Sequence, residues 1–185
     1  MASVNRVRPA LNARTQRVFF ALWPDARVRA DLAQAARRMH RVSHGRQTRD
    51  DSIHLTLVFV GVVNVENLPC LLAPPADVFT SSFRLTLDDW GCWARKGIGW
   101  VGPSHVPGPL RELAANLEGW LRGAGFELEH RVFTPHVTLV RKAHSAPLPD
   151  AMVPIEWQVE EFALMHSRLA PDGACYEALR TWPLG

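Results

Sequence analysis

An internal repeat constrains this chain more than any other feature. Residues 17–23, Arg-Val-Phe-Phe-Ala-Leu-Trp, form a short apolar run rich in β-formers and read as a buried strand. Pro24 and Asp25 then punctuate the chain and open a helix. Over 26–39, Val28, Leu32, Ala35, Ala36 and Met39 recur at helical spacing, with Arg27, Asp31, Arg37 and Arg38 off that stripe. After a polar stretch at 43–51, residues 52–60 read as a second strand that closes at Gly61. The same order then recurs. Residues 98–101 are a short strand, Gly108 and Pro109 start a helix, and Leu110, Leu113, Leu117, Trp120 and Leu121 form its apolar stripe. Gly123 or Gly125 ends that helix, and a strand over about 132–140 follows. Each closing strand carries His-apolar-Thr-Leu: His54-Leu55-Thr56-Leu57 and His136-Val137-Thr138-Leu139. With 8 His and 8 Thr in 185 residues, chance does not account for two such matches, each after a strand–helix unit.

The repeat implies an α+β fold of two similar lobes related by a pseudo-two-fold. Each lobe would have an antiparallel-rich sheet with helix cover, and a central cleft would hold both motifs. Elsewhere, residues 64–79 contain three prolines and read as a loop with a short helix, and 83–93 as one long strand. Residues 157–168 and 174–182 read as strands joined by the Ala-Pro-Asp-Gly turn at 170–173. No linker separates autonomous units, so residues 17–185 read as one bilobal domain. Residues 1–16 read as a basic, flexible tail.

Composition narrows the class. Hydrophobic residues are 47% and charged residues 21%, ordinary globular usage that excludes disordered and fibrous classes. No run approaches the length of a membrane-spanning helix, and the basic start lacks the apolar core of a secretory signal. Three cysteines, Cys70, Cys92 and Cys175, with no paired spacing point to a reducing, cytoplasmic setting. No exposed heptad is readable, so the default is a monomer. The net charge is +3, and all basic residues but Lys96 and Lys142 are arginines. Arginine suits bidentate phosphate recognition, although coding bias accounts for the count equally well.

Strand geometry explains the motif spacing. Side chains alternate faces, so His54 and Thr56 share one face while Leu55 and Leu57 take the other; the second motif repeats this. The apolar faces anchor on helices and the polar faces are free to line a cleft. Imidazole titrates near pH 6.5, so one histidine can be neutral while its twin is cationic. Such a pair can deprotonate water and protonate a leaving oxygen on opposite sides of phosphorus, as in-line displacement requires. The threonine hydroxyls can donate to non-bridging phosphate oxygens. A leaving sugar hydroxyl needs a proton, which suits a phosphodiester, and this chemistry calls for neither metal nor cofactor.

These motifs resemble those of the two-histidine phosphoesterases, and among them the RNA 2′,3′-cyclic phosphodiesterases, also called 2′-5′ RNA ligases or LigT-like proteins. Arg17–Trp23 followed by Pro24 resembles the family's opening strand, His54–Gly61 its first motif, and Phe133-Thr-Pro-His-Val-Thr-Leu-Val-Arg141 its second. The resemblance spans about residues 17–182. It implies metal-independent hydrolysis of an RNA terminal 2′,3′-cyclic phosphate to a 2′-phosphomonoester, with 2′-5′ ligation as the chemical reverse. It also implies His54 as proton donor, His136 as proton acceptor, Thr56 and Thr138 as phosphate ligands, and RNA 3′ ends or small nucleotides as partners. The alternatives are another clade of the same superfamily, acting on 2′-5′ oligoadenylate, cyclic ADP-ribose phosphate or cyclic nucleotides, and a non-catalytic RNA-binding member. The intact pair of motifs argues against the last.

Other residues divide between functional and structural roles. Arg141 lies five positions from His136, so alternation places it on the opposite face; it reaches substrate only if the strand ends or bulges there. Phe133 resembles a family position near substrate and serves either stacking or packing. Trp23 and Trp120 fall in core patterns, whereas Trp90, Trp93 and Trp157 are open to core or cleft positions. His40 and His44 have a helical ligand spacing but no third ligand, and a dipole or surface role explains them more simply. His105, His130, His144 and His166 default to surface or satisfied-core roles.

Overall fold

The computed structural model describes residues 14–143, 148–149, 152–170 and 173–185. Most of the expected basic tail, His144 and two residues of the 170–173 turn lie outside them. Strand β1 (Thr15–Leu22) starts before the apolar run, because Thr15 and Gln16 extend its ladder opposite Asn64 and Val63. Helix α1 (Ala26–Ser43) begins where the Asp25 carboxylate accepts the Val28 N–H at 2.8 Å. It ends at His44, which adopts the left-handed conformation at φ 51°. Strands β2 (Arg46–Gln47) and β3 (Leu55–Asn64) follow, then the short helix α2 (Leu68–Leu71). Strand β3 does not stop at Gly61. The ladder steps from Val18↔Gly61 to Phe19↔Phe59, so Val60 is an extra residue, and Gly61 takes a φ of 97° that a side chain would resist.

The expected long strand over 83–93 is two strands, β4 (Phe83–Leu87) and β5 (Asp89–Trp93), in different sheets. Asp88 makes the break: its carboxylate accepts the N–H and hydroxyl of Ser104, both at 2.7 Å. Strand β6 (Ile98–Gly102), helix α3 (Gly108–Gly123) and strand β7 (Val137–Arg141) complete the second repeat unit. The C-terminal segment is β8 (Ile155–Val159), β9 (Glu161–Ala170) and β10 (Gly173–Pro183). The expected first strand there is likewise split at Glu160, whose carbonyl accepts the Leu184 N–H at 2.7 Å. The hairpin is present, with Gly173 opposite Ala170.

Two antiparallel sheets result, with the helices flanking them. The larger runs β10-β9-β1-β3-β7-β6-β5, with β2 beside β7, and the smaller pairs β4 with β8. The two repeat units meet at the centre of the larger sheet, where β3 and β7 are joined through Leu55↔Val137. Helix α1, from the first unit, packs on β7, and α3, from the second, packs on β3. Leu55, Val137 and Leu139 are fully buried and Leu57 nearly so, which anchors both motif strands from the apolar side. At about 1.5–3 kcal/mol for each large apolar side chain removed from water, this packing holds the opposite, polar faces in place. Among the described residues no helix is long and apolar enough to cross a membrane.

Candidate active site

Each histidine stands one residue before its strand, and the pairing sets their relation. Because Leu55 lies opposite Val137 in an antiparallel ladder, the register places His54 opposite Thr138 and Thr56 opposite His136. The approximate two-fold passes between Leu55 and Val137. The histidines are then diagonal neighbours, roughly 7–8 Å apart on a regular ladder. His54, Thr56, His136 and Thr138 all line one cleft of about 850 Å³.

Both rings are oriented the same way. His54 Nδ1–H donates to the Ser52 carbonyl at 2.7 Å, and His136 Nδ1–H to the Thr134 carbonyl at 2.8 Å. A carbonyl only accepts, so each Nδ1 carries its hydrogen and each Nε2 is left for substrate. The repeat therefore extends two residues upstream, to Ser52-Ile53-His54 and Thr134-Pro135-His136, a signal present in the sequence but not used in the motif.

The strands also share a bulge. Register shifts leave Leu57 unpaired against β1 and Leu139 unpaired against β6, the same position in both motifs. The extra residue reverses the alternation beyond it, so Leu139 and Val140 are both buried and Arg141 returns to the face of Thr138. Arg141 lines the cleft, and its positive charge adds to burial, the larger cause, in lowering the pKa of both histidines. Its counterpart in the first unit is the exposed Phe59, also in the cleft, with the Arg17 guanidinium 4.7 Å above its ring.

The environments of the twins differ. Phe19, Trp23 and Tyr176 enclose His54, with ring centroids 5.0, 5.2 and 5.0 Å from it. That burial lowers its pKa to about 4, against the opposing pull of the Ser52 carbonyl. His136 is also lowered by burial, with added repulsion from Arg141 and Lys96. Trp93 meets it nearly perpendicular, 4.5 Å between centroids. Trp93 is thus a cleft residue, while Trp90 and Trp157 are buried in the core. Trp23, expected in the core, instead stands beside His54. Trp120 packs at the core edge against Phe20, and Phe133 lines the cleft while packing on the core edge. His40 Nδ1–H donates to the Gly45 carbonyl at 2.6 Å, and His44 forms the end of α1. No group of three His, Cys, Asp or Glu side chains among the described residues is placed to hold a metal ion.

The model of the 2′-5′ RNA ligase superfamily matches residues 22–170, most of the chain and both motifs. The chain belongs to the 2′-5′ RNA ligase superfamily. Superfamily relatives include the RNA 2′,3′-cyclic phosphodiesterase of Escherichia coli, 33% identical over 91% of this chain and 97% of the relative. The enzyme of the same name from Thermus thermophilus is 29% identical over 91% and 90%. Among solved superfamily structures, E. coli LigT complexed with 3′-AMP superposes with a TM-score of 0.83 at 34% identity, covering 92% of this chain and 98% of LigT. Within this superfamily frame, motif spacing did not reveal Phe19, Trp23, Tyr176 or the cleft cations Arg17, Arg46, Arg49, Lys96, Arg111 and Arg131. They come from distant elements, and no local pattern links them.

Proposed function

We propose that this protein hydrolyses the terminal 2′,3′-cyclic phosphate of RNA to a 2′-phosphomonoester, acting as a monomer in the cytoplasm. The observation that carries this reading is the pairing of Leu55 with Val137, which faces two identically oriented histidines across one cationic cleft. The names of the curated relatives support the reaction, and the three unpaired cysteines accord with a reducing compartment.

In the proposed step the His136 Nε2 takes a proton from water as its oxygen attacks phosphorus in line with the P–O3′ bond. That bond breaks, and the electron pair left on O3′ takes a proton from the His54 Nε2. Thr56, Thr138 and Arg141 hold the non-bridging oxygens, where charge accumulates. His54 is neutral in the free protein, since its pKa is about 4. Burial and, to a lesser extent, repulsion from Arg141 and His136 keep it so; the anionic phosphate adds an opposite charge beside the ring, which takes up its proton as substrate binds. Ligation through a 2′-5′ linkage is the reverse step with the histidine roles exchanged.

The test uses purified protein in EDTA and an RNA oligonucleotide ending in 2′,3′-cyclic phosphate. Conversion to the 2′-phosphomonoester is expected. Binding without turnover, or formation of the 3′-phosphomonoester, overturns the proposal.

A further inference from the structure

We propose that Trp23 is a positioning residue for His54: its indole holds the imidazole by parallel, offset stacking and stabilises that ring when it carries a proton. The inference rests on the proton-donor role proposed for His54. Leu22 pairs with Leu55, so the antiparallel register carries Trp23, the next residue, opposite His54. The two rings lie within 2° of parallel at 5.2 Å between centroids. An aromatic face attracts a cation far more than a neutral ring, so this contact strengthens on protonation.

His54 needs such help, because no charged group facing it favours a cation, and apart from the surrounding rings only the Ser52 carbonyl does so. The charged groups facing it are His136 and Arg141 from the β7 segment, and both oppose protonation. Tyr176 from β10 is a phenol whose own ionisation is pushed up by burial. Asp51, in the turn before β3, is held by Arg49 and Ser52. Arg17 from β1 lies over Phe59. His136 lacks a stacked indole, since Trp93 meets it at 78°. The parallel indole is therefore one of the features that distinguish the two histidines, beside the enclosure of His54 by Phe19 and Tyr176 and the Lys96 charge near His136.

The experiment compares Trp23→Leu, Trp23→Met and Trp23→Phe in the full chain, by steady-state hydrolysis of the cyclic-phosphate RNA across pH 5–9. In parallel, NMR titrates the His54 ring in substrate-free protein. Loss of the indole is expected to lower kcat about tenfold with KM changed less than about twofold. Leu and Met keep the apolar enclosure but remove the indole face, so they also move the His54 titration, and the pH limb that depends on it, to lower pH, while Trp23→Phe restores most of both. A folded Leu or Met variant with wild-type kcat and an unmoved His54 titration overturns the proposal. So does an equal fall in all three variants with an unchanged pH profile, which marks Trp23 as packing only. If the wild type fails to turn over the RNA, the functional reading falls, while the substrate-free titration still decides the role of Trp23.

Discussion

Acidification from pH 7 to pH 5 should weaken the folded protein by about 2 kcal/mol through His54 alone. An imidazole in the unfolded chain binds a proton near pH 6.5, whereas the enclosed His54 refuses one until about pH 4. Between those values the unfolded chain holds more protons, so stability rises with pH. The contribution of neutral His54 is fully present above pH 6.5 and is lost as pH falls toward 4. The linkage relation applied to those two values gives about 2 kcal/mol at pH 5 relative to pH 7. In urea unfolding, with a slope of roughly 2 kcal/mol per molar, that is a midpoint shift of about 1 M. His54→Gln removes the titrating group, and the carboxylates and remaining histidines cancel in the comparison. The wild type should therefore lose about 1 M more of its urea midpoint on acidification than His54→Gln does. Equal losses in the two proteins would refute the claim that the aromatic enclosure holds His54 neutral.

Thr56→Ala and Thr138→Ala should each lower kcat about a hundredfold with little change in KM, since each removes a donor to an oxygen that gains charge; single-turnover kinetics checks this. Arg141→Ala should raise KM about tenfold and move the NMR titrations of both His54 and His136 upward, because one cation lowers both. Gly61→Val should lower stability by about 1–2 kcal/mol in thermal unfolding, given the φ of 97°, while leaving kcat in the cold unchanged.

That His54, Thr56, His136 and Thr138 share one cleft was legible because a strand encodes its faces at period two and the motif occurs twice. The apolar stripes located α1 and α3 for the same kind of reason. Strand limits were harder to read. Asp88 and Glu160 break apparent single strands through partners at Ser104 and Leu184, contacts that no local pattern announces. Alternation alone put Arg141 on the wrong face, and only the bulge at Leu139 brings it into the cleft. Trp23 satisfies the pattern of a buried strand end, yet the β1–β3 register sets it beside His54. Tyr176 comes from a hairpin more than a hundred residues downstream, brought near β1 by way of β9.

The most direct test of the two-histidine account is turnover of RNA 2′,3′-cyclic phosphate by His54→Ala and His136→Ala, each checked for a native fold by circular dichroism. The account predicts that either change alone lowers kcat by at least about a thousandfold, because attack and departure each need their own proton carrier. Undiminished turnover in either folded variant would contradict it.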